Sequence, residues 1–373
     1  MFSRYISNDR VLNFSLKKYN NAPWSKERKI KYYSSGREAI ISLLDIFVED
    51  GKKEVVLLPA YVPQGLYAPF EKKKWKIVLY PIDEELNPIW SEVESLIKKH
   101  TPSLAVLIHY FGTIQPIEKF VQLCDYQGVK VIEDYTHLFF KQEKITYKGD
   151  YILYSLPKMV GVPDGAVLVV RDSTIDVNRL KYYKRRTNCL YLTKQVLLLS
   201  INSILSKIAC AKLVNIFSAL FNKLFNSYNT LMRVYHRPNK MSVLSQIIVN
   251  RINFDEVIKT RSRYARMYDE KLTDRHLRKI LRMGSEDCAI FSYPILVEDR
   301  DSLYWFLAKK GIYGTYLTSN WNYIPEEQDK KSQLFKNTEY MINHHFLLPT
   351  ALHLKEKDIE KIIDCVNEWD AMQ

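Results

Sequence analysis

The sequence is poor in the features that mark secreted, metal-stapled and repetitive proteins. Its five cysteines (Cys124, Cys189, Cys210, Cys288 and Cys365) are an odd number without paired spacing. This excludes a disulfide framework or a zinc site, and it predicts reduced, partly buried thiols and no bound metal. The opening residues "MFSRYISNDR" lack the apolar core of a signal peptide, so we expect a cytoplasmic protein. With only 11 glycines and 14 prolines, and no internal repeat, low-complexity block or disordered tail, the chain is typical of a globular protein.

The remaining composition is ordinary except for its charge. The 373 residues are 47% hydrophobic and 26% charged, with a net charge of +13, and the length allows two substructures. Basic residues are scattered, as in "EKKKWK" (71–76) and "RLKYYKRR" (179–186), and no nucleic-acid-binding signature accompanies them. The excess of basic residues therefore favours a solvated basic surface or an anionic, phosphate-bearing substrate over a nucleic-acid partner.

Short apolar runs alternate with amphipathic segments between residues 30 and 170. Helix-like segments at 36–50 and 116–127 separate some of these runs. Strands that are apolar throughout and separated by helices predict an α/β domain with a mostly parallel sheet covered on both faces. The predicted strands are 54–59, 76–82, 104–112, 129–134, 151–156 and 166–171.

Residues 174–235 differ from this pattern because they hold no strand signal and no glycine or proline. Within them, 192–225 is apolar at helical spacing but interrupted by lysines too often for a bilayer-spanning helix. We favour a helical hairpin packed on the core or on a partner subunit. The alternative is a basic amphipathic element at a membrane surface.

The rest of the chain reads as a small mixed α+β domain. Residues 241–272 predict one long amphipathic helix, with Ser242 as its cap. A strand over 289–298, a helix over 299–312, a strand near 344–350 and a closing helix follow. We therefore expect a large domain over 1–250, with the helical insertion at about 174–235, and a C-terminal domain over 251–373.

Three polar sites lie at strand ends or turns of the first domain. Asp134 follows the strand in "VIEDYTH", Ser155 and Lys158 close "YILYSLPK", and "SSGRE" (34–38) opens a helix. Each alone is as easily a turn cap, a solvated lysine or an N-cap. Together they supply what pyridoxal 5'-phosphate (PLP) needs: an amine for the Schiff base, a carboxylate for the pyridine nitrogen and a helix N-terminus for the phosphate.

Motifs along nearly the whole chain resemble the DegT/DnrJ/StrS-type sugar aminotransferases. They are "SSGREAI", "LLPAYV", "HYFG", "VIEDYTH", "SLPK…VPDGAVL", "NKMSVLSQ" and "LLPTALHLKEKDI", in the order of that family. The resemblance implies fold type I, with a mostly parallel seven-stranded sheet between helices. It also implies a homodimer with shared active sites.

The resemblance assigns roles to matching residues. Lys158 matches the lysine that binds PLP covalently and then moves the proton during transamination, and Asp134 matches the partner of the pyridine nitrogen. His137 falls where the family places a His or Gln near the cofactor ring, and Ser155 matches a phosphate-contacting serine.

Further implied roles concern the phosphate. Ser35, Gly36 and Arg37 form the turn, where the family more often has a small hydroxyl residue or alanine after the glycine. Asn239 resembles an asparagine that reaches the partner subunit's phosphate. Two cations of neighbouring segments, Lys240 and Arg237, join Arg37 as candidates to hold a substrate diphosphate.

The chain departs from the family at two places. Pro63, in "PAYVPQG", stands where most relatives place an aromatic residue that stacks on the cofactor ring, which leaves Tyr61 or His137 as candidates. Lys158 follows Ser155 by three residues, a shorter spacing than usual, and "GVPDG" replaces a glycine-rich turn. These differences indicate a divergent branch.

The sequence thus predicts a PLP-dependent aminotransferase. It would move an amino group, from glutamate, to a nucleotide-linked keto-sugar in surface polysaccharide or glycoconjugate biosynthesis. One alternative is other PLP chemistry such as sugar dehydration, although dehydrating relatives replace the lysine with histidine. The other is a non-catalytic or membrane-associated scaffold, against which Lys158, Asp134 and Ser155 together argue.

Overall fold

The structure is a computed structural model that describes residues 5–12, 15–144, 146–182, 189–206, 238–280, 288–315 and 333–373. Its strands are β1 Ile6–Ser7, β2 Ile30–Tyr33, β3 Val55–Pro59, β4 Lys76–Tyr80, β5 Leu104–Ile108, β6 Lys130–Asp134, β7 Leu138–Phe140, β8 Tyr151–Ser155, β9 Ala166–Val170, β10 Leu277–Lys279, β11 Cys288–Ile290, β12 Tyr293–Val297, β13 Ile312–Tyr313 and β14 His345–Leu348. Its helices are α1 Gly36–Glu49, α2 Gln64–Lys72, α3 Trp90–His100, α4 Ile117–Asp125, α5 Leu156–Met159, α6 Cys189–Leu205, α7 Val243–Val249, α8 Phe254–Lys271, α9 Arg300–Lys309, α10 Lys336–His344 and α11 Glu356–Asp370.

A seven-stranded sheet forms the centre of the first part of the chain. Its strand order is β2-β9-β8-β6-β5-β3-β4. β9 pairs antiparallel with β2 and with β8, whereas the remaining pairs are parallel. Strands such as β3, β5 and β9 are buried at every residue, as expected of a sheet covered by helices on both faces. The predicted α/β architecture with a mostly parallel seven-stranded sheet is confirmed.

Between residues 30 and 170, two strands were not predicted from their residues. β2, "IKYY", is half-buried at three of its four positions and lies at the edge of the sheet. β7 has only three residues, and its partner is the distant β11. Both strands depend on tertiary pairing, because neither segment carries the longer apolar run that identified the others.

The C-terminal part holds an antiparallel sheet in the order β10-β12-β14, with a separate apolar cluster. The prediction of one strand over 289–298 is wrong, since β11 pairs with β7 and β12 pairs with β10 and β14. The chain turns away at Phe291, whose carbonyl accepts side-chain hydrogen bonds instead of continuing the ladder. The domain boundary at residue 250 stays a prediction.

The prediction of one helix over 241–272 is also wrong. Ser242 caps α7 as predicted, by accepting a hydrogen bond from the Ser245 N–H. However, α7 ends at Val249 and α8 begins at Phe254. Asn21 donates to the Asn253 side chain and accepts from the Phe254 N–H, at 2.8 and 3.2 Å. Distant side-chain capping of this kind competes with helix continuation.

The predicted helical insertion is described only in part. α6 lies within it and packs on the N-terminal segment, where the Leu12 N–H donates to Ser203 Oγ at 2.9 Å and Arg10 donates to Gln195 at 3.0 Å. The rest of the predicted hairpin, at 183–188 and 207–235, lies outside the described residues. Of the helices the structure describes, none combines the length and apolar character needed to cross a bilayer.

The loop after β5 needs a glycine at position 112, because its backbone there leaves no room for a side chain. Phe111 is left-handed, with φ of 52°, and Gly112 follows with φ of 105°. A Cβ built on Gly112 would lie 2.0 Å from the Ile290 side chain. The close approach therefore fixes this loop against β11.

We expect Gly112→Ala to lower the free energy of unfolding by about 3 kcal/mol, since positive-φ strain adds to overpacking. Gly128→Ala is the matched control. Gly128 also has positive φ, at 67°, but open space around it, so the loss should be about 1 kcal/mol. Urea unfolding of both variants measures the difference, and equal losses would contradict the close approach.

Candidate active site

The parallel pairing of β6 with β8 brings the predicted site residues together. Asp134 is the last residue of β6 and pairs with Leu153 of β8. β8 ends at Ser155, and the short helix α5 directly after it carries Lys158. Ligands of open α/β sheets bind outside the carboxyl ends of the strands, and this is the edge at which the three residues lie.

The Lys158 amine lies among polar side chains of the β6–β7 turn. Its Nζ is 3.0 Å from His137 Nε2, and it donates to Thr136 Oγ1 at 3.3 Å. Burial lowers the pKa of this amine and the nearby Arg37 lowers it further, whereas Asp134 raises it. A lysine with a lowered pKa holds more of the neutral, nucleophilic form at neutral pH.

Asp134 is 2% exposed. Its Oδ1 accepts a hydrogen bond from the Thr136 N–H at 2.8 Å. Burial raises the pKa of this carboxyl, while Lys158 and the Thr136 donors oppose the rise. A buried carboxylate of this kind gains from a cation or a protonated nitrogen placed beside it.

His137 is held between elements that the sequence reasoning did not connect. Its imidazole is near-parallel to the phenyl rings of Phe111 and Phe291, with both centroid distances 5.4 Å. Burial and the neighbouring Lys158 lower its pKa well below the usual value, so the ring is neutral at neutral pH. The "HYFG" motif was noticed, but nothing in it indicated that Phe111 contacts His137.

The turn before α1 is fixed by backbone hydrogen bonds from two other segments. The Ser34 N–H donates to the Asn239 carbonyl at 3.0 Å, and the Gly165 N–H donates to the Ser34 carbonyl at 2.8 Å. Ser35 is the N-cap residue of α1 and makes no side-chain cap, and Gly36 is the first helical residue. The N-terminus of α1, with its unpaired backbone N–H groups, therefore lies close to the loop that follows Lys158.

Glu38 lies at the candidate phosphate turn, and the sequence reasoning did not name it. It is 7% exposed in the first turn of α1, and Asn239 Nδ2 donates to its Oε1 at 3.1 Å. The Ser34 hydroxyl also donates to this carboxyl. Burial raises the pKa of Glu38, although both donors oppose the rise. Asn239 therefore contacts the turn of its own chain.

The remaining candidates lie as follows. Tyr61 is buried in the core, with its ring 5.2 Å from that of Tyr110, and Pro63 caps α2. Lys240 is exposed, and Arg237 lies outside the described residues. Within the described ranges, no group of three His, Cys, Asp or Glu side chains could hold a metal ion.

A sequence model of the DegT/DnrJ/EryC1/StrS aminotransferase family matches residues 31–178 and 244–367. The chain belongs to this family. It is a PLP-dependent aminotransferase of the sugar aminotransferase type, and its cofactor is PLP. No curated protein matches the chain significantly.

Solved structures of sugar aminotransferases share the fold type I architecture of this enzyme. Spr1654 from Streptococcus pneumoniae, a putative sugar aminotransferase in its PMP form, has a TM-score of 0.67 at 12% identity, with 93% of this chain and 89% of that chain covered. Helicobacter pylori PseC, an aminotransferase involved in the biosynthesis of pseudoaminic acid, has a TM-score of 0.65 at 14% identity, with coverage of 93% and 88%. CalS13 from Micromonospora echinospora has a TM-score of 0.64 at 14% identity, with coverage of 92% and 88%.

The donor set of this aminotransferase fits PLP. Lys158 offers an amine of lowered pKa, and Asp134 offers a buried carboxyl at the same sheet edge. The N-terminus of α1, with Arg37 in its first turn, offers backbone donors and a cation to an anionic group. Glu38 is a group of opposite character, because its ionised form would repel a phosphate beside it.

Glu38 makes the stability of the cofactor-free protein depend on pH. A carboxyl whose folded-state pKa is raised stabilises fully below its unfolded-state pKa, about 4.3 for glutamate. This contribution is lost as the pH rises through the folded-state value. We therefore expect Glu38→Gln, which cannot ionise, to gain stability relative to the unsubstituted protein as the pH rises from about 4.

Urea unfolding of the cofactor-free protein across that pH range measures the effect. Glu118→Gln is the control, since Glu118 is an exposed glutamate in the first turn of α4. A stability difference for Glu38→Gln that does not change with pH would contradict the buried, poorly solvated carboxyl.

Proposed function

We propose that this enzyme transfers an amino group from glutamate to a nucleotide-linked keto-sugar. The product would serve surface polysaccharide or glycoconjugate biosynthesis in the cytoplasm. Support for the location comes from Cys124 and Cys365, which are buried, free thiols. Support for the chemistry comes from the site around Lys158.

The observation that carries the proposal is the environment of the Lys158 amine. Its contacts with His137 and Thr136, at 3.0 and 3.3 Å, orient Nζ, and its lowered pKa suits a group that both attacks a carbonyl and moves a proton. We assign Lys158 as the cofactor lysine on this basis. A scaffold protein would not need a half-buried amine near a buried carboxyl, which is costly to maintain.

The other residues have complementary proposed roles. When bound, PLP supplies an electron sink for the substrate's Cα electrons. Asp134 would hold a proton on the pyridine nitrogen, and neutral His137 would keep Nζ directed at the reacting carbon. Lys158 would take the proton from the donor's Cα and return it at the neighbouring cofactor carbon. Its deprotonated form performs the first of these transfers.

The anion-binding part of the proposal uses the turn before α1 and the surrounding cations. Ser35, Gly36 and Arg37 would bind the cofactor phosphate, with Ser155 and Asn239 contributing from neighbouring segments. Lys240, exposed after Asn239, is a proposed contact for the substrate diphosphate. The net charge of +13 favours the approach of such an anionic substrate.

Spectroscopy of the PLP-loaded enzyme tests the substrate class. A panel of nucleotide-linked aminosugars, with the corresponding free aminosugars as controls, is incubated with the enzyme, and L-glutamate is assayed separately. We expect glutamate and at least one nucleotide-linked aminosugar to convert the bound cofactor to its pyridoxamine form, with free sugars at least about 10²-fold slower because they lack the remote binding energy. Conversion by free sugars alone would contradict the nucleotide-linked substrate.

We also propose a homodimer, and an apolar surface of α7 supports it. Val243, Leu244 and Ile247 are 71%, 42% and 45% exposed and lie on one face of the helix, four residues after Asn239. A second copy of the chain is the proposed partner, because the site-forming Asn239 segment runs directly into this face.

Light scattering should give twice the mass of one chain, and Ile247→Glu should shift the protein to the monomer because it buries a charge in the contact. Ile114→Glu is the control, since Ile114 is also exposed, at 56%, but lies in the loop between β5 and α4. A dimer that survives Ile247→Glu would contradict this assignment of the interface.

A further inference from the structure

Arg261 of α8 is a buried cation that the family comparison does not explain. It is 5% exposed, and its hydrogen bonds to described residues all go to neutral oxygens. Nη1 donates to the Ile290 and Phe291 carbonyls at 3.1 and 2.9 Å and to Thr350 Oγ1 at 2.9 Å, and Nη2 donates to the Met159 carbonyl at 3.0 Å. Burial lowers its pKa to about 10, so the guanidinium remains charged at neutral pH.

The carbonyls that accept from Arg261 belong to the two segments that flank the reactive amine. Met159 is the residue directly after Lys158 in α5. Phe291 stacks on His137, whose Nε2 is 3.0 Å from Lys158 Nζ. The guanidinium of Arg261 therefore links the Met159 carbonyl, next to Lys158, to the carbonyl of Phe291, whose ring stacks on His137.

Phe291 is fixed by further hydrogen bonds from separate parts of the chain. Its carbonyl also accepts from Thr350 Oγ1 at 3.0 Å and from Asn8 Nδ2 at 3.1 Å. Its N–H donates to the His137 carbonyl at 3.0 Å. The position of this residue, and with it the stacking on His137, depends on donors that converge on one carbonyl.

We propose that Arg261 is a positioning residue, which holds the α5 backbone and Phe291 at a fixed separation so that Lys158 and His137 stay in contact. The inference rests on the proposed role of Lys158 as the cofactor lysine. Arginine suits the task because its rigid fork donates to several carbonyls at once, whereas a lysine ammonium at the same place would reach fewer of them.

The experiment compares holoenzymes of four variants: Arg261→Met, Arg261→Lys, Thr350→Val and Arg263→Met. Arg263→Met is the matched control, since Arg263 lies on the same helix but is exposed and pairs with Glu356 at 2.6 Å. Thr350→Val removes one acceptor of Arg261 and one donor to Phe291 with little change in volume. The measurements are the pH midpoint of the visible band of bound PLP and the rate of PLP loss on dilution.

We expect Arg261→Met to lose PLP about 10²-fold faster, because small misplacement of reacting groups has effects of that order, and to shift the pH midpoint of the band. Arg261→Lys should lie between this variant and the unsubstituted enzyme. Thr350→Val should change both quantities in the same direction by less, and Arg263→Met should change neither.

The inference is overturned if folded Arg261→Met and Thr350→Val both keep the original midpoint and rate. If Arg261→Met does not fold, Arg261→Lys and Thr350→Val decide: a shifted midpoint in both supports positioning, and an unchanged midpoint in both overturns it. A chain that takes up no PLP without any substitution would overturn the role of Lys158 together with this inference. The first outcome overturns the inference alone.

Discussion

The site depends on the parallel hydrogen bonding of β6 to β8. This pairing places the carboxyl ends of two buried strands side by side, so that Asp134 and the Ser155–Met159 segment share one edge of the sheet. Asp134 is buried and Lys158 is half-buried, and each charge costs free energy when it leaves water. Polar partners close at hand, Thr136 and His137, make the arrangement tolerable.

The surrounding structure then serves to keep this edge in place. The strained loop at Phe111 and the carbonyl of Phe291 bring two phenyl rings against His137. The segment holding Asn239 lies against the turn before α1, and the loop after Lys158 bonds the same turn through Gly165. The contact between Ser34 and Asn239 joins residues more than 200 positions apart in the sequence.

The sequence predicted those features that depend on residues close together in the chain. Apolar runs identified six strands of the central sheet, and Ser242 identified a helix cap, because burial and capping each leave a short-range pattern. Asp134 and Lys158 became candidates through their places at strand ends and through the order of the family motifs. These are properties of a few neighbouring residues.

Features that arise from distant contacts were not predictable in this way. β2 and β7 form strands because they pair with β9 and β11. Asn21 caps the start of α8 and so divides a segment whose pattern predicts one helix. Glu38 reads as an ordinary first-turn acid until Asn239 is placed against it. Arg261 reads as one more charge on an amphipathic helix, yet it is buried against carbonyls of two other segments and a hydroxyl of a third. Each exception follows from packing that no local pattern records.

The central claim, that Lys158 carries the cofactor, is tested most directly by chemical capture. The PLP-loaded enzyme is reduced with borohydride, digested, and mapped by peptide mass spectrometry, so that the lysine joined to the cofactor is identified without reference to activity. The account predicts a single modified peptide containing Lys158, absent from Lys158→Ala. Modification at another lysine, or a protein that retains no PLP, would contradict it.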